Sequence, residues 1–355
     1  MNLPLTSLVP TVVEITSFIE RNWPHVWWFP NWYLGVPLRF VTGPVVPAIL
    51  IFFHKIFPIS LETIYLLLVG TVWLCGGLGT VYLVKALGGG KKTQWLAGIV
   101  FTLLPFHLFL LATGTGLHHL VVALMPWVFI ACLHAFKSWK WQDVSLTVIG
   151  TALVILIDVA GILPLVVGFI SLAILNKRED LPEKLIKLFL ILLTALSLVT
   201  IWYTPRFWWT LLNNPSFAGK PLANVIPFVL QLIEALLPLI LGWWVVKKRY
   251  SLKQPLIRFG VLFGSSFLFL TLIRFLSDVD FWIDWTGYFL ELQLALALFL
   301  PWGILKLVQD DKKRWFVFLF IIFILTISNG IMGWVVFIKD ADKVTEYKKS
   351  IVKLV

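Results

Sequence analysis

The chain has 355 residues, 59% of them hydrophobic and only 13% charged, with a formal net charge of +11 and a mean hydropathy of +0.92. Ordinary soluble domains carry about 25% charged residues, so a water-soluble core is excluded and the bilayer is the solvent. The basic excess then reads as cytoplasmic loops rather than a nucleic-acid surface.

Residues 1–58 come first and hold no spanning helix. "MNLPLTSLVPTVVEITSFIE" lacks the basic start of a cleavable signal peptide and contains Glu14 and Glu20. "WWFPNWYLGVPL" follows at 27–38, where Pro30 and Pro37 exclude a regular helix. This pattern predicts an external first segment of amphipathic helices. Its rigid, aromatic part from Trp28 to Leu38 is expected to be non-helical and to pack over the rest of the chain as one wall of a cavity.

Runs of about 20 apolar residues, long enough to span, then fall at 62–84, 94–112, 118–136, 185–203, 224–246, 256–276, 287–308 and 315–338. Two shorter runs, 143–158 and 162–175, flank "VAG". At 1.5 Å per residue they reach only roughly 24 and 21 Å, as a broken hairpin or two tilted short spans would. Expected is an all-α polytopic membrane protein of about 8 to 10 transmembrane helices. The expected divisions are 1–58 as the external segment, 59–340 as the bundle and 341–355 as a polar tail. Cys75 and Cys132 sit inside apolar runs without metal-ligand spacing and read as buried hydrophobes.

Lys and Arg set the orientation. With the N-terminus outside, 18 of the 29 fall in inner loops, including Lys91, Lys92, Lys247, Lys248 and Arg249. Outer loops between helices hold only Arg206, Lys220 and Arg274. The bias repeats at every loop, and the expected location is a prokaryotic plasma membrane. The lysines from Lys339 onward run against it. Outer segments are long and aromatic, with Trp23, Trp27, Trp28, Trp32, Trp208, Trp209, Trp282 and Trp285. Inner loops offer mainly Trp139 and Trp141.

Several polar residues in this apolar chain could carry chemistry. Asp278 and Asp280 form a D-x-D pair in an outer loop, of the kind that holds a divalent cation through oxygen. Asp158 lies at the break between the two short runs, where irregular backbone must face protein or a wet cavity. Glu234 and Glu291 are acids within apolar helices, which are costly and point to function. His118 and His119 start a helix and point about 100° apart, so they do not share a metal easily. Arg206, in the second outer segment, suits a lipid phosphate. "GGGKKT" at 88–93 fails the phosphate-loop spacing.

"WPHVWWFPNWYLGVPLRFVTGPVVPAILIFF" resembles the first external loop of GT-C-type membrane glycosyltransferases. It is nearest a branch of bacterial and archaeal membrane proteins labelled "6-pyruvoyl-tetrahydropterin synthase-related". The matching residues are Trp28, Pro30, Trp32, Tyr33, Gly35, Pro37 and Leu38. The resemblance implies a GT-C-like helix bundle with an external amphipathic first loop. It also implies transfer of a sugar from a lipid-phosphate carrier to an acceptor at the outer face, with inversion at the sugar carbon. The family's catalytic carboxylate would fall near Thr11, and Glu14 is the nearest acid. Three readings stay open: Glu14 takes that role, the chain is a shortened copy whose missing helix and Asp a membrane partner supplies, or the protein is not an enzyme.

Expected, then, is binding of a lipid-linked sugar or polyprenyl phosphate. Trp28, Trp32, Tyr33, His118, Asp158 and Arg206 would contact it, and a divalent cation would sit at Asp278 and Asp280. The alternative is a transporter or a non-catalytic membrane subunit, to which Pro126, Pro227, Pro238 and Pro301 within apolar runs are equally suited.

Overall fold

The computed structural model describes residues 8–31, 35–104, 116–175, 180–213, 254–277 and 288–309. The expected spans 224–246 and 315–338 lie outside the described residues, as do Trp32, Tyr33, Glu234, Asp278 and Asp280.

The first segment builds a small cap. Helix α1 (Leu8–Asn22) is amphipathic and buries Val9, Val12, Ile15, Thr16 and Ile19 on one face. A two-residue antiparallel ribbon follows, β1 (Trp28–Phe29) against β2 (Val36–Pro37), with Trp28 opposite Pro37. Pro37 has no N–H to give, which confines it to such an edge. Phe29 is buried edge-on against Phe18 of α1, with ring centroids 5.2 Å apart. A 3-10 turn (Leu38–Phe40) leads to helix α2 (Val45–Ile56). Within the stretch expected to be non-helical, the described residues form this ribbon, and Phe29 and Leu38 are buried with Ile15 and Ile19 of α1.

Helix α3 (Leu61–Ala86) begins where Ser60 accepts a hydrogen bond from the Thr63 amide, and it carries Glu62 in its first turn and Lys85 in its last. Both charges complement the helix dipole. Next come α4 (Lys91–Leu103), α5 (Leu117–Ser138), α6 (Trp141–Ile157) and α7 (Ile162–Ile174). A 3-10 turn at Val159–Gly161 separates α6 from α7, so the break expected at "VAG" is present. Helices α8 (Leu181–Val199), α9 (Pro205–Asn213), α10 (Pro255–Ser277) and α11 (Phe289–Gln309) complete the described residues.

The central packing is α3 on α5 and α4, with α10 on α11 beside it. Close approach of α3 to α5 needs Gly76, because a Cβ there would lie 2.9 Å from the Ala123 backbone. Phe129 of α5 sits in an aromatic knot with Phe169 of α7 and Phe259 and Phe263 of α10, at centroid distances of 5.6 to 6.0 Å.

The outward faces are apolar as well. Helix α8 exposes Ile186, Phe189, Leu190 and Leu193, and α3 exposes Leu67, Leu74 and Leu78. Contiguous apolar surface of this kind needs a covering medium. Two described helices, α3 and α5, are long and apolar enough to cross a membrane; α2, α6, α7, α10 and α11 supply shorter apolar segments.

Candidate functional site

Three helix ends and one helix break bring the buried ionisable groups together. Gly116 caps the start of α5, which places His118 in the first turn. Asp158 ends α6 and caps the 3-10 turn, where its Oδ1 accepts from the Ala160 amide at 3.0 Å. Glu291 stands in the first turn of α11, where the helix dipole favours a carboxylate. Gly161 lets α5 reach the break, since a Cβ there would come within 2.8 Å of Val121.

His118 joins the three. Its Nε2 lies 2.7 Å from Glu291 Oε1, and its Nδ1 lies 3.4 Å from Asp158 Oδ2. Glu291 is fully buried, the His118 side chain is 7% exposed, and the Asp158 side chain is 24% exposed. An ionised carboxylate only accepts hydrogen bonds. With Glu291 ionised, Nε2 therefore carries a proton and donates it. A second proton on Nδ1 would make the ring an imidazolium between two carboxylates. Asp158 is the member open to a ligand; Glu291 is sealed behind the ring. His119 is buried alongside. Among the described residues no group of three His, Cys, Asp or Glu has a metal-binding arrangement.

The segment after α8 lies beside Asp158. Tyr203 is buried there, packed on Phe207 with ring centroids 4.5 Å apart. The first segment is clasped onto this stretch. The Trp202 indole donates to the Thr42 carbonyl at 3.0 Å, Arg39 Nη1 donates to the Thr204 hydroxyl at 2.8 Å, and Phe40 packs on Phe207 at 4.8 Å. Arg39 also lies over the Trp27 ring, 5.7 Å from its centroid. Gly43 presses directly on the end of α6: a Cβ there would lie 1.8 Å from the Leu156 carbonyl oxygen, two residues before Asp158.

Of the residues expected from sequence, the structure brings together His118 and Asp158. Glu14 stands apart on the exposed face of α1, where Asn31 donates to it at 3.1 Å and Arg21 lies 3.8 Å away. Trp28 is half exposed, with its indole over Gly35. Arg206 is exposed on α9. Trp32, Tyr33, Asp278 and Asp280 lie outside the described residues. Two groups gain a role that no local pattern announced. Glu291 was legible as an intramembrane acid but not as the partner of His118. Arg39 was one basic residue among several near the start. Tyr288, which opens α11, is buried at φ +62, a conformation costly for an aromatic residue. It sets the helix start three residues before Glu291.

No protein-family model matches the sequence, and no curated protein matches it. Among solved structures, the chain is similar to the Archaeoglobus fulgidus oligosaccharyltransferase tethered to an acceptor peptide containing the NVT sequon. The TM-score is 0.49 at 14% identity, over 96% of this chain and 51% of that one. The chain thus spans about half the length of that protein.

Proposed function

We propose that this is an integral-membrane protein of GT-C type that binds a lipid-linked sugar or polyprenyl phosphate at the outer membrane face and transfers the sugar to an acceptor. The observation that carries the reading is the Asp158–His118–Glu291 cluster, most exposed at Asp158 and adjoining the end of α6 against which Gly43 of the first segment packs. Ionisable groups are expensive at membrane depth and mark sites of function. The apolar outward faces support the membrane, and the first-loop motif supports the family.

In the proposed reaction the acceptor oxygen attacks the sugar carbon from the face opposite the carrier phosphate. The new C–O bond forms as the bond to phosphate oxygen breaks, and the electron pair leaves on the phosphate. The acceptor proton goes to Asp158. The Ala160 amide and His118 hold that carboxylate in place, as a general base requires. Tyr203 offers an O–H, and Arg39 and Arg206 supply cations for the phosphate. Asp158, rather than Glu14, is the base in this proposal, because Glu14 is solvent-facing and already paired.

The test is thermal unfolding of the purified protein in detergent with undecaprenyl phosphate or undecaprenol. A ligand at 100 times its dissociation constant stabilises by about 2.7 kcal/mol. The phosphate should raise the midpoint and the free alcohol should not. Asp158→Asn should keep the effect, since it removes a negative charge near the phosphate. Equal effects of phosphate and alcohol, or none from either, would overturn the proposal.

A further inference from the structure

A cavity whose lining includes none of His118, Asp158 and Glu291 lies between α1 and α2 and the ends of α6 and α8. It encloses about 520 Å³, and its apolar lining includes Ile19, Val26, Pro47, Ile51 and Ile201. That volume is in the range of small-molecule clefts. Among the described residues, only two charged side chains reach it, Glu20 of α1 and Lys55 of α2. Among the described residues neither takes part in an ion pair: Arg21 turns to Glu14 instead. They are more than the 4 Å of a salt bridge apart, so an acid and a base share one apolar groove with a gap between them. Trp23, which lines it, and Trp27 are largely exposed, and Trp28 is half exposed. Exposed indoles in this number mark the level of lipid headgroups.

We infer that this groove binds a zwitterionic phospholipid with a primary ammonium headgroup, such as phosphatidylethanolamine. Charge complementarity selects it. Lys55 takes the phosphate, and the Glu20 carboxylate accepts hydrogen bonds from the ammonium, which are stronger for being between ions. An acyl chain lies along the apolar floor of Ile19, Pro47 and Ile51. A choline headgroup has no N–H for Glu20, and a glycerol headgroup has no cation for it. The lipid would fasten the two amphipathic helices to the bundle beside the first-segment clasp. This inference rests on the membrane reading above, and not on the chemistry proposed at Asp158.

The full chain, purified in mild detergent, is mixed with equal amounts of phosphatidylethanolamine, phosphatidylcholine and phosphatidylglycerol, and retained lipids are counted by native mass spectrometry. One phosphatidylethanolamine should be retained in preference to either other lipid, by roughly three- to fivefold for a partly exposed ionic contact. Glu20→Gln should erase that preference, and Lys55→Gln should weaken retention of all three lipids. Ala48→Trp, at an exposed position in the groove, should block retention while leaving the unfolding midpoint without lipid unchanged. Equal retention of the three lipids, preference for phosphatidylglycerol, no retained lipid, or retention unaffected by Ala48→Trp would overturn the inference. A chain that fails to partition into membranes at all would instead sink the membrane reading beneath it.

Discussion

Replacing Gly43 with alanine tests whether the first segment is held against the end of α6. The added Cβ would meet the Leu156 carbonyl oxygen at 1.8 Å, its carbon at 2.7 Å and the Ile157 carbonyl oxygen at 2.9 Å. All three are backbone atoms, so no side chain can turn aside. The segment must retreat by roughly 1 Å or more to restore van der Waals contact. A retreat of that size stretches the Trp202–Thr42 bond of 3.0 Å and the Arg39–Thr204 bond of 2.8 Å beyond useful length. A neutral hydrogen bond contributes about 1 kcal/mol and one to a charged group about 1.5–3. The clasp should therefore loosen by roughly 3 kcal/mol, which is about a hundredfold in an opening equilibrium. Amide hydrogen exchange reads that opening directly. In detergent, the Val41 and Thr42 amides, both bonded to the Leu38 carbonyl, should exchange about a hundredfold faster. Amides within α3 should not change. Gly70→Ala is the control, because a Cβ there meets nothing within 4 Å. It should be neutral, or stabilising by about 0.5–1 kcal/mol through helix propensity. Should Gly43→Ala leave exchange at 38–44 as slow as Gly70→Ala does, the clasp is not what holds the first segment.

His118→Ala removes the ring between two carboxylates. Breaking a buried ionic contact from one side costs about 3–5 kcal/mol, so the unfolding midpoint should drop sharply, and Glu291→Gln in the same chain should recover part of the loss. Additive effects of the two changes would show that the 2.7 Å contact is not energetically coupled. Orientation is checked by impermeant thiol labelling of intact cells on a background with Cys75 and Cys132 replaced. A cysteine at Lys248 should stay unlabelled and one at Asn213 should react; the reverse pattern would place the first segment and Asp158 on the inner side.

Local features of this fold were readable and long-range ones were not. Helix α3 follows an uninterrupted apolar run with Ser60 before it and Gly88 after it, and the structure starts and stops it at those signals. The break at 158–161 was visible because "VAG" separates two runs that are individually short, with Asp158 at the seam. The contact of His118 with Glu291, in contrast, joins residues 173 apart, and that of Arg39 with Thr204 joins residues 165 apart. Hydropathy states that each helix is buried in something; it carries no signal for which helix ends meet. Trp95 of α4 and Trp141 of α6 are exposed, while Trp208 of α9 is partly buried against Tyr203 and Phe207.

The position of the cluster explains how an apolar bundle tolerates it. A charged group inside a continuous helix must find all its partners among side chains, because the backbone amides beside it are committed to i−4 carbonyls. At a helix start the first amides are uncommitted; His118 and Glu291 stand at such starts, and Asp158 stands where α6 ends and the 3-10 turn begins. Asp158 uses one of these amides, that of Ala160. Glu291 gains from the positive end of α11, and His118 sits at the start of α5. The dipole of α11 thus favours the Glu291 carboxylate, whereas Asp158, at the negative end of α6, relies on the Ala160 amide. What holds the ring in this place is therefore its contact with the two carboxylates, Glu291 at Nε2 and Asp158 at Nδ1.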